Sequence, residues 1–446
     1  MTTKIKSINV RESTRRFLNA QKDPATGLIQ SYRGSSNYVQ DPGTHEFIKR
    51  DIGYLDRQCF TYDAALTVIA YSLLGDMESA ESILRILEPN FHIPKGDNIG
   101  LLNSYRTDGL ADGVRQLIMG IDGDRIHTGP NLWVGLAAYH FGLLSGNGKY
   151  IELSAEIMKW AMHRVKHQAT ANQRRGGVSM GSGWGPDWQR TFSTEHNLDY
   201  LALLHILEAA ASNPIFEEGM CRSALRAVEI EEERVGLHDW MIENVFDAER
   251  GLFHIGINQT GLDRTYALDT VSFGILGCGV LSLQRIGVDP DRLIENAERH
   301  LKITIKVGAK KIEGFDFTDE TGYGGRRSPL IWVEGTYQMA LAYNEMAAFY
   351  QSEQILDKAA GYAKKGKRLL SQMETLIRLL TPTSNTPSYT SLVPKETEIR
   401  NTFRDDWEIQ RGNDERTVES VASAVWRLMA QEGFNPMSAS PWIKRR

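Results

Sequence analysis

A chain of 446 residues, 41% hydrophobic and 24% charged, is long and apolar enough to bury a large core, which excludes a disordered protein. Its net charge of −5 lacks the positive field that binds a phosphate backbone, so the sequence predicts no nucleic-acid partner. Cys59, Cys221 and Cys278 are too few and too scattered for a disulfide framework or a thiolate zinc site, and we expect them to be reduced and partly buried.

The N-terminal segment MTTKIKSINVRESTRRF lacks the apolar centre of a secretory signal, and no apolar run reaches membrane-spanning length. We therefore expect a cytoplasmic protein that makes no membrane contact. No HExxH, CxxC or regular His/Asp set is present, so the sequence predicts neither a metal site nor a cofactor. The oligomeric state is left open.

The organisation of the chain is first visible in residues 57–87. The stretch 57–76 places Asp63 ahead of an apolar run that ends at Gly75, and the next stretch, 77–87, is apolar on one stripe only. A helix that is apolar on nearly every face is buried, whereas a striped helix lies at the surface. These residues therefore predict an inner helix and an outer helix joined by a tight turn.

The same unit recurs along the chain. The N-terminal helix at 11–20 can serve as the outer partner of the last inner helix, which has no striped helix after it. Turns from inner to outer helices are short, whereas the links back are long and rich in Gly, Trp and Asp, so long loops gather at the N-terminal ends of the inner helices. Further inner helices with polar starts are predicted at 128–146, 193–211, 266–283, 330–350 and 415–430.

Six such hairpins predict an all-α fold, an (α/α)6 toroid, with long loops and some short strands over the N-terminal ends of the inner helices. We expect residues 1–446 to form one domain of this kind. An open solenoid of helical hairpins is the alternative. The closed ring is favoured because polar residues recur at one end of every inner helix and the first helix can complete the last hairpin.

Carboxylates mark the starts of most inner helices. A carboxylate near a helix N-terminus is stabilised by the helix dipole, so each one alone is more often structural than catalytic. In a closed ring they converge on one funnel, and glycoside cleavage requires two carboxyl groups, one to protonate the departing oxygen and one to activate water or attack carbon. We predict that Glu195 and Glu334 form this pair, with Asp269 and Asp63 in reserve. At the last inner helix, Glu415 or Glu419 takes the corresponding place.

Other residues at these helix starts and in the loops are candidates for binding sugar, since carboxylates accept hydrogen bonds from hydroxyls and indole faces stack on pyranose rings. Asp199 shares a helix face with Glu195 and can orient a neighbour or bind a hydroxyl. His196 can bind a hydroxyl or, with His127 or His254 as companion, abstract a proton next to a carbonyl. The predicted substrate-binding residues are Asn131, Trp133, Trp184, Trp188, His196, Asp199 and Trp332.

The alternation of twelve helices over residues 11–431 resembles the six-hairpin glycosidase superfamily. The strings TYDAAL, TGPNLW, STEHNLD, ALDT and WVEGT, each opening an inner helix, carry the resemblance. That superfamily includes inverting glycoside hydrolases, polysaccharide lyases and sugar epimerases, so the resemblance implies a carbohydrate substrate without fixing the reaction.

Three functions remain open at this point. The first is a glycoside hydrolase, inverting by resemblance, that cleaves an oligo- or polysaccharide in an acidic, Trp-lined funnel. The second is a sugar epimerase or polysaccharide lyase that uses His196. The third is a non-catalytic toroid that binds a glycan or a protein.

Overall fold

The computed structural model describes residues 9–33, 38–40, 47–49, 57–95, 99–110, 116–120, 125–167, 176–182, 188–211, 227–319, 329–391 and 418–439. Within these residues the chain alternates between buried and striped helices, as the sequence predicts.

Six inner helices form a closed ring. Each packs against the next in chain order, and the last packs against the first, so the ring has no open edge. The inner helices are almost wholly buried; in α2, for example, thirteen residues are buried. They are α2 (Thr61–Leu74), α4 (Thr128–Ser145), α6 (Thr194–Ala211), α8 (Leu268–Phe273, continued as a π-helical turn over Gly274–Cys278), α11 (Val333–Ser352) and α13 (Val421–Glu432).

Outer helices cover this ring. Each contacts its own inner helix, and several also contact a neighbouring inner helix, which buries the apolar stripe of each. They are α1 (Val10–Gln21), α3 (Met77–His92), α5 (Gly148–Met162), α7 (Ala227–Trp240, continued by a π-helical turn over Met241–Val245), α10 (Pro290–His300) and α12 (Leu356–Leu380), and a short helix, α9 (Val280–Arg285), precedes α10.

Tight left-handed turns separate inner from outer helices. Gly75 (φ 79°) and Gly146 (φ 68°) end α2 and α4 in the conformation that residues with a Cβ adopt only at a cost. Asp76 then caps α3 by accepting a hydrogen bond from the Ser79 N–H. The reversal therefore needs few residues, and the partners of each hairpin stay adjacent.

Short antiparallel strands tie the links to the inner-helix starts. The strand before each of four inner helices pairs with a strand of another link: β4 with β5, β7 with β8, β9 with β12, and β16 with β1. Single bridges, Ala267–Thr318 and Trp332–Thr390, take this place before α8 and α11. The strands are β1 (Tyr32–Arg33), β2 (Tyr38–Gln40), β3 (Phe47–Lys49), β4 (Gln58–Phe60), β5 (Ser104–Leu110), β6 (Leu117–Met119), β7 (Ile126–His127), β8 (Gly181–Ser182), β9 (Phe192–Ser193), β10 (Phe246–Asp247), β11 (Leu252–Phe253), β12 (Gly256–Asn258), β13 (Gly261–Asp263), β14 (Lys302–Val307), β15 (Lys310–Phe315) and β16 (Glu419–Ser420).

The N-terminal helix α1 completes the hairpin of the last inner helix, α13, as the sequence predicts. Arg427 of α13 is fully buried and bonds Glu374 of α12 through Nε (2.7 Å) and Nη2 (2.5 Å). Its Nη1 donates to the Asn385 carbonyl at 2.9 Å and lies 3.5 Å from the Ser13 hydroxyl of α1. One guanidinium thus links three helices where the two ends of the chain meet.

Cys59 and Cys278 are buried free thiols, and Cys221 lies outside the described residues. Across the described part of the chain, no helix has both the length and the apolar character that a bilayer crossing requires.

Candidate active site

The second residue of each inner helix defines the N-terminal rim of the ring. These residues are Tyr62, Gly129, Glu195, Asp269, Glu334 and Ala422. Because the six helices start in the same way around one axis, equivalent positions point in equivalent directions. Three of the four predicted catalytic carboxylates, Glu195, Asp269 and Glu334, occupy this position, and Tyr62 occupies it on α2.

Glu334 is held in a network of donors. The Tyr62 hydroxyl donates to Glu334 Oε1 at 2.7 Å, and the Gln338 amide, one turn along α11, donates to the same oxygen at 3.2 Å. The Trp426 indole donates to the Tyr62 oxygen at 2.8 Å, and Ser272 of α8 donates to the Gln338 oxygen at 3.0 Å. The carboxyl group is nearly buried, and the two donors to Oε1 fix its orientation.

Tyr62 connects Glu334 with Glu195. Burial raises the pKa of the Tyr62 hydroxyl well above its usual range, and the charges of Glu334 and Glu195 raise it further. The phenol therefore stays protonated at neutral pH and acts as a donor. The two predicted catalytic glutamates thus lie on different inner helices and act on one side chain.

A second group of carboxylates lies on α6 and α8. Asp199, one turn below the half-buried Glu195, is 1% exposed and accepts a hydrogen bond from the Trp133 indole at 3.0 Å. Burial raises the pKa of Asp199 well above its usual range, and the charges of Glu195 and Asp269 add to this effect. Asp269 is also 1% exposed. The ring therefore brings Glu195, Asp199 and Asp269 into electrostatic contact.

Two histidines lie beside this group. The rings of His127, just before α4, and His196 are 6.1 Å apart. Burial lowers the pKa of both, that of His127 to about 3, whereas the charge of Glu195 acts in the opposite direction on His196. Both imidazoles are consequently neutral near pH 7. His254, the other proposed companion, lies instead near Asp247 (3.6 Å).

Aromatic rings from four inner helices form a packed layer around these groups. Trp133 contacts Tyr62, Phe273 and Trp426, with ring centroids 5.2, 5.8 and 5.8 Å apart. Trp133 and Trp426 are almost fully buried. Trp426 therefore belongs to the core and also donates a hydrogen bond to Tyr62.

Asn131, a predicted substrate-binding residue, is fully buried and anchors a link. Its amide pairs with both the N–H and the carbonyl of Leu101, at 2.7 and 2.9 Å. Asn197 makes the same pair of bonds with Val178, at 2.7 and 3.1 Å. The repetition shows that this position supports the loop that precedes each of these helices.

Asp63 and Glu419 face other partners. Asp63 is the third residue of α2, one position after Tyr62, and its carboxyl group bonds Ser31 and acts on Cys59. Glu419 lies in β16 before α13 and pairs with Arg33 and Ser384. Glu419 therefore does not lie on an inner helix, and Glu415 lies outside the described residues.

We expect Asp63→Asn to stabilise the fold increasingly as pH rises from 4 to 7. Burial raises the pKa of Asp63 to about 7, so the unfolded chain releases this proton at a lower pH than the folded chain, and stability falls over that interval. Replacing the titratable carboxyl group by an amide avoids a loss in the free energy of unfolding of up to about 4 kcal/mol, at about 1.4 kcal/mol per pKa unit.

Urea denaturation at pH 5 and pH 8 measures this difference. Ser31→Ala is the matched control, because losing the hydroxyl that stabilises the carboxylate should steepen the pH dependence. The expectation is contradicted if the free energies of unfolding of Asp63→Asn and of the parent differ by the same amount at pH 5 and at pH 8.

The tryptophans predicted to bind sugar from the loops lie in different parts of the structure. Trp332, 5% exposed, precedes α11 and packs edge-on against Phe317 (5.0 Å). Trp188 begins a short 3-10 helix, Trp188–Arg190, and its side chain lies outside the described residues, as does Trp184. Of the predicted binding residues, His196, Asp199 and Trp133 therefore lie with the carboxylates.

Sequence reasoning missed Tyr62, Gln338 and Gly129. Tyr62 and Gly129 could have been found by aligning the inner helices on their first residue, since Tyr62, Gly129 and Glu195 each follow a threonine that opens a helix. Gln338 lies four residues after Glu334, on the same face. Among the described residues, no cluster of three His, Cys, Asp or Glu side chains has an arrangement that could hold a metal ion.

No family model matches this sequence, and no curated protein matches it. Solved structures do resemble it. They include a family 76 glycoside hydrolase from a bovine Bacteroides thetaiotaomicron strain (TM-score 0.57, 8% identity, covering 95% of this chain and 76% of that chain). A cellobiose 2-epimerase from Bacillus thermoamylovorans is similar as well, with a TM-score of 0.57 and 11% identity over 95% of this chain and 98% of that chain. So is a glycosidase in complex with glucose, with a TM-score of 0.57 and 11% identity over 95% of this chain and 96% of that chain. The chain therefore shares its fold, the (α/α)6 toroid, with these solved structures.

Proposed function

We propose that this protein is a glycoside hydrolase that acts on an oligo- or polysaccharide with Glu195 and Glu334. The observation that carries the proposal is the placement of these two glutamates at equivalent positions of different inner helices, both acting on Tyr62. Two carboxyl groups in unlike surroundings are what glycoside hydrolysis needs, because one must give a proton while the other accepts one.

Glu334 is the proposed base. Hydrogen bonds from Tyr62 and Gln338 to its Oε1 favour the carboxylate over the acid. A carboxylate held by two donors keeps a fixed direction, so it can orient a water molecule toward the anomeric carbon and take its proton.

Glu195 is the proposed acid. It is half-buried, and the charges near it are those of other carboxyl groups, Asp199 among them. A half-buried carboxyl group at the rim remains accessible to a substrate and can present a proton to the glycosidic oxygen. The proton would pass from Glu195 to the glycosidic oxygen as the bond to the anomeric carbon breaks.

The remaining groups would bind the sugar. Asp269 and His196 are the proposed contacts for hydroxyl groups, and the packed layer around Trp133 would form the apolar floor that supports them. Trp184, Trp188 and Trp332 remain proposed contacts from the loops. Asp63, given its bond to Ser31, is the weakest of the reserve catalytic candidates.

Solved structures of similar fold support this choice. Glycosidases of this fold were solved as wild type, with a glutamate replaced by alanine at either of two positions, and with a tyrosine replaced by phenylalanine. Two glutamates and one tyrosine are also the residue types that this chain brings together in Glu195, Glu334 and Tyr62.

Product stereochemistry tests the proposed reaction and the proposed inversion together. Proton NMR of the first product released from a panel of α- and β-linked neutral oligosaccharides should show a new reducing end of inverted configuration, because water oriented by Glu334 attacks the face opposite the leaving group. A product that retains its configuration would contradict inversion but not hydrolysis. Absence of any new reducing end across the panel would contradict the proposed function.

A sugar epimerase is the second candidate, favoured by the neutral pair His127 and His196 and by the fold shared with a cellobiose 2-epimerase. A neutral imidazole can abstract a proton next to a carbonyl. Incubation in deuterated water separates the candidates, because epimerisation leaves carbon-bound deuterium in the recovered sugar and hydrolysis does not.

A further inference from the structure

The face of α6 that turns toward the ring axis carries two carboxyl groups. Glu195 and Asp199 are four residues apart and therefore lie one above the other on this face. Glu195 is half-buried at the rim, and Asp199 is 1% exposed one turn below it. The charge of Glu195 acts on the Asp199 carboxyl group and raises its pKa.

The structure fixes the orientation of Asp199 from both sides. The Trp133 indole donates to Oδ1 at 3.0 Å. Oδ2 lies against Gly129, where an added methyl group would be only 2.9 Å from this oxygen and 2.5 Å from His196 Cδ2. The absence of a side chain at Gly129 therefore provides the space that the Asp199 carboxyl group and the His196 ring occupy.

The surroundings of Asp199 favour its protonated form. Burial is the main cause of its raised pKa, the charges of Glu195 and Asp269 add to it, and the Trp133 hydrogen bond opposes it. His196, neutral because it is buried, supplies no compensating positive charge. The titratable groups around the pair are Glu195 and His196 on α6, Asp269 on α8, Tyr62 on α2, and His127 before α4.

We propose that Glu195 and Asp199 form a dyad that shares one proton, in which Asp199 stores the proton and Glu195 delivers it to the glycosidic oxygen. This proposal rests on the proposed hydrolase function. In each turnover the Asp199 O–H bond breaks as a Glu195 O–H bond forms, and the Glu195 O–H bond then breaks as the leaving oxygen is protonated. Glu334 takes one proton from the attacking water and later releases it to solvent, and the dyad regains one from solvent. Asp199 is thus a positioning residue that acts through Glu195.

Asp199→Asn tests the dyad. The amide can still accept the Trp133 hydrogen bond but cannot store a proton, so Glu195 loses the partner with which it would share one. We expect the alkaline limb of the pH profile of kcat/KM to move to lower pH by about one unit or more, because a like charge one turn away no longer holds the proton. KM at the new optimum should stay within about threefold of the parent. Thermal unfolding of the variant checks that the fold is retained.

Trp133→Phe should move the alkaline limb in the opposite direction. Removing the indole donor destabilises the Asp199 carboxylate, so the dyad should hold its proton more tightly and the alkaline limb should move to higher pH. If Asp199 and Trp133 had only a structural role, the two variants would change stability or the maximum of kcat/KM, but they would not move the alkaline limb in opposite directions.

The outcomes separate this proposal from the proposed function. An unmoved limb in Asp199→Asn, with or without a rise in KM, overturns the dyad, and a raised KM would assign Asp199 to substrate binding. If the limb of Asp199→Asn does not move but Glu195→Gln and Glu334→Gln are both inactive, the hydrolase proposal stands without the dyad. If both glutamine variants keep full activity, the hydrolase proposal itself fails.

Discussion

Replacing Glu334 by Gln should reduce kcat by a factor of about 10² to 10⁴ on every substrate that the enzyme cleaves, since that is the usual contribution of a positioned acid or base. The introduced amide is close in size to the carboxyl group and can keep the hydrogen bond from Tyr62, so the fold should persist. What is lost is the ability to take a proton from water. Steady-state kinetics together with circular dichroism measures both parts of the expectation.

Glu195→Gln should show a different dependence on the leaving group. A natural sugar alkoxide needs the proton, so kcat should fall by a similar factor of about 10² to 10⁴. An aryl glycoside whose phenol leaves readily as an anion needs little protonation, so most of the activity should return with that substrate. Glu334→Gln should not be rescued in this way, because water activation remains necessary.

The control for both variants is Glu353→Gln, at the exposed end of α11, which should retain parental kinetics. If Glu334→Gln recovers with the aryl substrate while Glu195→Gln does not, the two roles are reversed. Full activity in both variants would exclude them as the catalytic pair. If the parent binds oligosaccharides but yields no product, the chain is a binding toroid.

Arg427→Met should lower the free energy of unfolding by about 3–5 kcal/mol, the usual cost of removing one member of a buried ion pair. The guanidinium is fully buried, and its removal deprives the Glu374 carboxylate of its positively charged partner and the Asn385 carbonyl of the Arg427 donor. Since Arg427 joins α13 and α12 and reaches Ser13 of α1, the loss falls where the ring closes. Chemical denaturation followed by far-ultraviolet circular dichroism measures it.

Two controls give this expectation its specificity. Arg16→Met removes the exposed pair with Glu12 (3.9 Å) and should cost no more than about 1 kcal/mol. The double variant Arg427→Met with Glu374→Met should recover much of the stability, because no uncompensated charge remains. A single variant as stable as the parent would show that the closure does not depend on this ion pair.

The sequence predicts the scaffold because the distribution of apolar residues along a helix indicates how much of that helix is buried. The runs after Asp63, Glu195 and Glu334 are apolar on every face, and only a helix surrounded by others can have that pattern in water. The striped helices could be assigned to the outer layer for the same reason, and the pairing of α1 with α13 followed from the one hairpin that lacked a successor. Proximity of Glu195, Asp269 and Glu334 followed in turn from the expectation of a closed ring.

The direction of individual side chains was decided by the tertiary structure. Asp63 and Tyr62 are neighbours in sequence, but an α-helix turns by about 100° per residue, so Tyr62 bonds Glu334 while Asp63 bonds Ser31. Asn131, two positions past the equivalent of Glu195, likewise supports a loop. Composition and period determine that a helix is inner and that its start is polar. Which of its first four residues points toward the other helix starts depends on where the helix begins and on which side chains its neighbours place beside it.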